Sequence, residues 1–204
     1  MTSVLNDAKL DGLLSGLHQT SKAQDEAITR YYRHERTGPW NGMEPRDHAF
    51  MADKLVALDR EKAEFCYMLC RAIGARRIFE AGTSLGVSTL YLAAAVRDNG
   101  GGVVFGAEYE PEKVRQARAN FEAAGLSSFI DLREGDVVAA ARSRLKEPAP
   151  PSPRSCRLGP IGLSCVVLMR ERGEPHPWSE AFAGRDQITE RVARLTGRPS
   201  FADR

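Results

Sequence analysis

Hydrophobic positions follow a helical period up to about residue 75 and then give way to short apolar runs separated by helices. Leu10, Leu13, Leu14 and Leu17 stand at i, i+3, i+4 and i+7, which predicts a short amphipathic helix ended by His18 to Ser21. Ser21 and Gln24 have capping-box spacing and predict a second helix carrying Ile28, Tyr31 and Tyr32, up to the loop Gly38-Pro39-Trp40-Asn41-Gly42. A third helix is expected with Asp59 as N-cap, with Phe65, Cys66, Leu69, Cys70 and Ile73 on one face and Gly74 just past its end.

Residues 77–81 then read as a buried strand. From Gly86 a helix follows, with Val87, Leu90, Tyr91, Ala94 and Ala95 as its inner face, stopped by Asp98-Asn99-Gly100-Gly101-Gly102. Residues 103–107 form a second apolar run. Pro111 takes the first position of the next helix with Glu110 as N-cap, Val114, Ala117 and Phe121 repeat at helical spacing, and Gly125 with Leu126 makes a Schellman stop. Residues 129–132 supply a third strand, and Arg133-Glu134-Gly135-Asp136 turns off its end.

Such alternation predicts parallel pairing through right-handed crossovers. The expected fold class is α/β: a Rossmann-like, doubly wound, mainly parallel sheet preceded by N-terminal helices. After Glu147 the prolines at 148, 150, 151 and 153 exclude helix and central strand, residues 163–169 suggest one more strand, and 187–195 one short helix, so an irregular C-terminal part is expected. The chain thus divides into an N-terminal helical segment, 1–57, a Rossmann-like nucleoside-binding half, 58–147, and a Pro/Arg-rich tail, 148–204.

Composition narrows the class of function. With 204 residues, 42% of them hydrophobic and 27% charged, the chain can bury one ordinary core. A net charge of +2 from 29 basic and 27 acidic residues creates no field that would attract nucleic acid or an anionic membrane, so neither is expected as a partner. No apolar run approaches the ~18 residues of a membrane span and no apolar leader follows Met1, which points to the cytoplasm. Cys66, Cys70, Cys156 and Cys165 lack disulfide-framework spacing, as suits a reducing compartment, and Cys66 with Cys70 reads as buried packing rather than half a metal site.

The candidate chemistry lies at the strand ends. The first strand runs into Glu80-x-Gly82-x-x-x-Gly86-x-Ser88, where a glycine lets the backbone approach a ligand and the following helix offers free N–H groups to an anion. The spacing departs from G-x-G-x-x-G, so a pyrophosphate-cradling dinucleotide site matches poorly, and a carboxylate fits instead. Glu108, at the end of the second strand, is placed to accept two ribose hydroxyls, and Asp136, past the third, to accept from an exocyclic amine such as that of adenine. Read singly, strand-end acids often only cap helices and Gly82 serves a tight turn. Read together they point to an adenosine ligand, with Glu80 organising the turn. For a general base, His48 and His176 are the candidates; His18 and His34 read as surface residues, and Trp40 and Trp178 as loop anchors that also suit an aromatic substrate.

The run from Arg77 to Ala93, with Gly106-Ala-Glu-Tyr-Glu-Pro-Glu-Lys and Glu134-Gly-Asp136, resembles class I S-adenosylmethionine-dependent methyltransferases, within them the small-molecule O-methyltransferases of catechol O-methyltransferase type. The resemblance covers about residues 53–136. It implies that S-adenosyl-L-methionine is the cofactor, that Glu80, Gly82 and Ser84 line its methionine end, that Ser88 bonds its carboxylate, that Glu108 holds the ribose and Asp136 the adenine edge, and that Leu58 lies over it. It implies a small-molecule acceptor and, in that family, a magnesium site built from an aspartate after a fourth strand and a later Asp-Asp or Asp-Asn pair. Neither pattern occurs in this chain, so the metal ligands and the catalytic residues are unassigned; Asp186 and Glu190 read as a solvated helix face. Three other readings stand beside this one: a truncated or frame-shifted cofactor-binding remnant, a nicotinamide-dependent oxidoreductase, and a scaffold that forms a homodimer through its N-terminal helices.

Overall fold

The computed structural model of the chain describes residues 4–36, 44–136 and 165–169. The expectations placed on Trp40, His176, Trp178, Asp186, Glu190, the 38–42 loop, the 187–195 helix and all of the 148–204 tail except 165–169 lie outside the described residues.

At the centre is a four-stranded sheet in the order β3-β2-β1-β4. Strands β1 (Arg77–Ala81), β2 (Val103–Glu108) and β3 (Ile130–Glu134) are parallel, as the sequence pattern predicts. Their register pairs Ala81 with Ala107 and Glu108 with Glu134, so three carboxyl ends stand side by side at one rim of the sheet. Strand β4 (Cys165–Met169) runs antiparallel to β1, with Ala81 opposite Cys165, and gives β1 a hydrogen-bonded neighbour on both sides. The further strand suggested over residues 163–169 is therefore present at Cys165–Met169, and it joins the sheet antiparallel.

Helix α4 (Val87–Asp98) follows β1 and is buried along its whole course from Val87 to Val96, wider than the predicted inner face. A helix that is apolar all round belongs in the interior. α4 lies between the sheet on one side and α3 (Arg60–Ala72) and α1 (Ala8–Arg30) on the other. Tyr91, Leu90 and Leu92 from α4 share one core with Leu10 and Leu14 from α1, Cys66 and Cys70 from α3, and Ile78 and Val104 from the sheet.

The N-terminal region departs from the sequence reading in three ways. First, α1 runs unbroken through residues 18–21, where a break was expected. The side chains read as a capping box are used elsewhere: Ser21 Oγ accepts the Ala57 N–H (3.1 Å) and Gln24 Oε1 accepts the Leu55 N–H (2.8 Å), while Thr20 donates back to the Gly16 carbonyl within the helix. These residues fasten the chain ahead of α3 and cap nothing in α1. Second, α3 buries Ala63, Cys66, Tyr67 and Cys70, leaving Phe65 53% exposed, so its inner face is turned from the predicted one. Tyr67 explains the turn, because its hydroxyl reaches Asp98 at the end of α4 (2.8 Å). Third, a helix not anticipated, α2 (Pro45–Met51), is built on Pro45 at its first position and Asp47 in its first turn.

Asp47 is fully buried and accepts three hydrogen bonds: from Tyr31 Oη (2.8 Å), Arg36 Nε (3.1 Å) and the Glu44 N–H (2.8 Å). Tyr31 also stacks on Phe50, with ring centroids 3.9 Å apart. Burial pushes the Asp47 carboxyl up, but the three donors and the Arg36 charge together hold it below its ordinary value. Helix α5 (Pro111–Ala123) completes the fold, with its Phe121 buried under the β1–α4 turn and Asn120 donating to the Leu85 carbonyl (2.9 Å). Gly86 permits that approach. Its φ is +89°, and a Cβ there would stand 2.3 Å from Phe121 Cε1.

Two outcomes are expected from these contacts. Asp47→Asn should lose about 1–3 kcal/mol in urea denaturation at pH 7, because the buried Arg36 guanidinium loses the carboxylate bonded to it. Since the folded carboxyl is depressed, its contribution is present above the unfolded value and is lost as pH falls through the folded one, so the gap between variant and parent should close below about pH 4. Gly86→Ala should cost about 2–4 kcal/mol by the same measurement, combining strain at positive φ with a clash against a buried ring.

Candidate functional site

Glu80 is the penultimate residue of β1, and its side chain is 0% exposed. It accepts hydrogen bonds from Ser88 Oγ (2.6 Å), Thr83 Oγ1 (3.1 Å) and Thr89 Oγ1. Ser88 and Thr89 belong to the first turn of α4, whose N-terminal dipole favours an anion. Burial raises the Glu80 pKa, the three hydroxyls pull it back, and the nearby Glu108 charge adds to the rise; the net effect is upward. The carboxylate therefore ties the end of β1 to the start of α4 from beneath the turn. The Ser88 hydroxyl, assigned by the resemblance to a ligand carboxylate, donates here to Glu80.

Above Glu80 the turn folds over the end of β2, with the Gly82 and Thr83 N–H groups both donating to the Ala107 carbonyl (3.1 and 3.0 Å). Gly106 makes room for it, because a Cβ there would meet Thr83 Oγ1 at 2.5 Å. The sequence reading passed over Gly106, although a glycine inside an apolar strand often marks a close approach. Ser84 comes next with φ +49°, a left-handed conformation that costs a non-glycine residue energy. Its N–H donates to Glu108 Oε2 (2.6 Å), and its hydroxyl is buried without a hydrogen-bond partner among the described residues.

Glu108 is the bridge between the first two strand ends. Besides the Ser84 N–H it accepts those of Tyr109 (2.9 Å) and Glu110 (3.0 Å). Three of the roughly four acceptor positions of a carboxylate are thus in use. Glu110 stands at the N-cap position of α5 as expected, but its side chain bonds no helix N–H; its carboxylate lies 3.7 Å from His48 Nδ1 instead. The third strand end joins through its backbone, where the Gly135 N–H donates to the Glu108 carbonyl (2.8 Å) and leads to an exposed Asp136. Glu80, Gly82, Ser84, Ser88, Glu108 and Asp136 therefore lie along one connected rim. Leu58 is half-buried against the core, in the segment fastened to α1.

Around this rim stand groups with weaker sequence signals. Tyr109 is 65% exposed, and its ring lies 6.1 Å from that of His48 on α2. Lys113, in the first turn of α5, is buried and was not singled out by the sequence. His18, read as a surface residue, is half-buried with Nε2 3.4 Å from the Tyr91 hydroxyl, and burial holds its pKa below the ordinary value; His34 is exposed as expected. Among the described residues no group of three His, Cys, Asp or Glu side chains converges as a metal site would require.

Known proteins resemble the stretch that carries this rim. Residues 79–159 match the methyltransferase-domain family, a stretch that begins inside β1 and continues past Asp136. A catechol O-methyltransferase of Niastella koreensis is 29% identical over 96 residues, 47% of this chain and 42% of that protein. A catechol O-methyltransferase of Mycobacterium tuberculosis is 34% identical over 83 residues, 41% of this chain and 37% of its own length. The matched stretch therefore spans less than half of either relative. The crystal structure of an O-methyltransferase from Bacillus cereus in complex with SAH superposes at a TM-score of 0.44 and 23% identity, covering 66% of this chain and 59% of that one. The stretch that carries the β1 turn and the ends of β2 and β3 is thus similar to methyltransferase domains, and the two curated relatives matched over it are catechol O-methyltransferases.

Proposed function

We propose that the chain binds S-adenosylmethionine across the carboxyl ends of β1, β2 and β3 and serves methyl transfer to an oxygen of a small-molecule acceptor. The observation that carries this reading is Ser84. A buried hydroxyl without a partner among the described residues, on a residue held in a strained conformation and bonded through its backbone N–H to Glu108, is the mark of a surface shaped for a polar ligand. It fits the methionine end of the cofactor, beside the start of α4, where no side chain caps the helix.

In this reading Glu108 accepts from the ribose hydroxyls and Asp136 from the adenine amine, while Glu80 stays beneath the turn as its organiser. The cofactor, when bound, supplies a methyl group activated on a sulfonium. The chain's own residues orient the nucleoside, hold the turn rigid and keep water from beneath it, so their contribution is one of positioning. No described residue is given the part of general base, and none that of a magnesium ligand, since the required cluster does not form among them. A reducing, cytoplasmic setting belongs to the same reading, supported by the free thiols of Cys66 and Cys70; no described helix is long and apolar enough to cross a membrane.

Calorimetric titration with S-adenosylmethionine and S-adenosylhomocysteine tests the reading, and absence of binding by folded protein would overturn it. Glu108→Ala should weaken binding by about 1–3 kcal/mol through lost charge-assisted hydrogen bonds. Ser84→Ala should not lower the melting temperature, because the hydroxyl has no partner among the described residues, and yet weaken binding by about 0.5–1.5 kcal/mol.

A further inference from the structure

Among the described residues only Phe65, Met68 and Tyr109 are large, hydrophobic and exposed, and the first two lie on α3. Tyr109 stands at the rim, directly after Glu108 and ahead of α5. A single exposed tyrosine needs no explanation. This one is held at both ends.

Its backbone is fixed because the N–H groups of Tyr109 and Glu110 both donate to Glu108 Oε1 (2.9 and 3.0 Å). Its ring is met by that of His48, with centroids 6.1 Å apart and planes inclined at 50°, inside the range where tilted aromatic pairs attract. His48 is held in turn. Its Nδ1 lies 3.7 Å from Glu110 Oε1, and the residue before it, Asp47, is the buried anchor of α2. An exposed ring in water ordinarily keeps its rotamer freedom. A ring located by two neighbours and still 65% exposed offers its apolar surface to a ligand at little further ordering cost.

The chemistry of the neighbouring group selects what would cover it. If Glu108 takes the ribose hydroxyls, the base joined to that ribose falls within reach of the next side chain, and every base has a π face that stacks on an aromatic ring. We propose, resting on the reading of the strand ends as a nucleoside site, that Tyr109 is the platform on which the ligand's base lies and that His48 positions it. Tyr109 touches the base. His48 acts through Tyr109 and does not touch the ligand. Helix α2 thereby takes part in binding, although it lies outside residues 79–159 that match methyltransferase domains.

The test is a double-substitution cycle on the full chain, read by calorimetric titration with S-adenosylhomocysteine and with S-ribosylhomocysteine, which keeps the sugar and the amino acid and lacks the base. Neither side chain belongs to the buried core, so the variants should fold as the parent does. Tyr109→Ala should lose roughly tenfold in affinity for S-adenosylhomocysteine and His48→Ala roughly fivefold, while the double variant loses no more than Tyr109→Ala alone. His48→Phe, which keeps a ring and drops the contact with Glu110, should bind as the parent does. The base-free ligand should bind every variant as it binds the parent. Losses that add in the double variant, equal losses on the base-free ligand, or no loss in Tyr109→Ala overturn the assignment while leaving the nucleoside site standing. Failure of the parent chain to bind S-adenosylhomocysteine overturns both.

Discussion

One buried carboxylate governs the rest of the rim. Removing the Glu80 charge from water costs several kcal/mol unless donors replace the lost hydration. Thr83, Ser88 and Thr89 provide those donors from both sides of the turn, and the first turn of α4 adds its dipole. For all three hydroxyls to reach one carboxylate, the chain must leave β1, cross the end of β2 and enter α4 within a few residues. That path needs the left-handed conformations at Gly82, Ser84 and Gly86, and the lack of a side chain at Gly106, where the Thr83 hydroxyl packs. The strain at Ser84 follows from the position of Glu80.

The parallel register turns this local constraint into a site. Because β1, β2 and β3 end at one level, the Ser84 N–H reaches the carboxylate of Glu108, and the Glu108 carbonyl reaches the Gly135 N–H. Three successive strand ends are thereby joined in one chain of hydrogen bonds. The crevice outside the carboxyl ends of such strands is where open α/β sheets bind their ligands. The methyltransferase-domain match, residues 79–159, covers this same stretch.

Much of this was legible in the sequence wherever the signal is local. β1 was read residue for residue, the stops at Gly74 and Gly125 occur where expected, and Pro111 opens α5. The strand-end acids were located because strand, turn and helix alternate at short range. What escaped depends on partners distant in the chain. Ser21 and Gln24 look like a cap until Ala57 and Leu55 claim them, and Glu110, though at the N-cap position of α5, keeps its carboxylate beside His48 and off the helix N–H groups. Helix α2 was missed because its anchor is Asp47, whose donors Tyr31 and Arg36 lie well before it.

The central claim is that the β1 turn and the ends of β2 and β3 hold one nucleoside together. Amide hydrogen exchange with and without S-adenosylhomocysteine tests it most directly, since it maps the ligand onto the backbone. Added protection is predicted in three separate stretches, residues 82–89, 108–110 and 135–136, at the same ligand concentration. Protection confined to one stretch, or falling elsewhere in the chain, would contradict it.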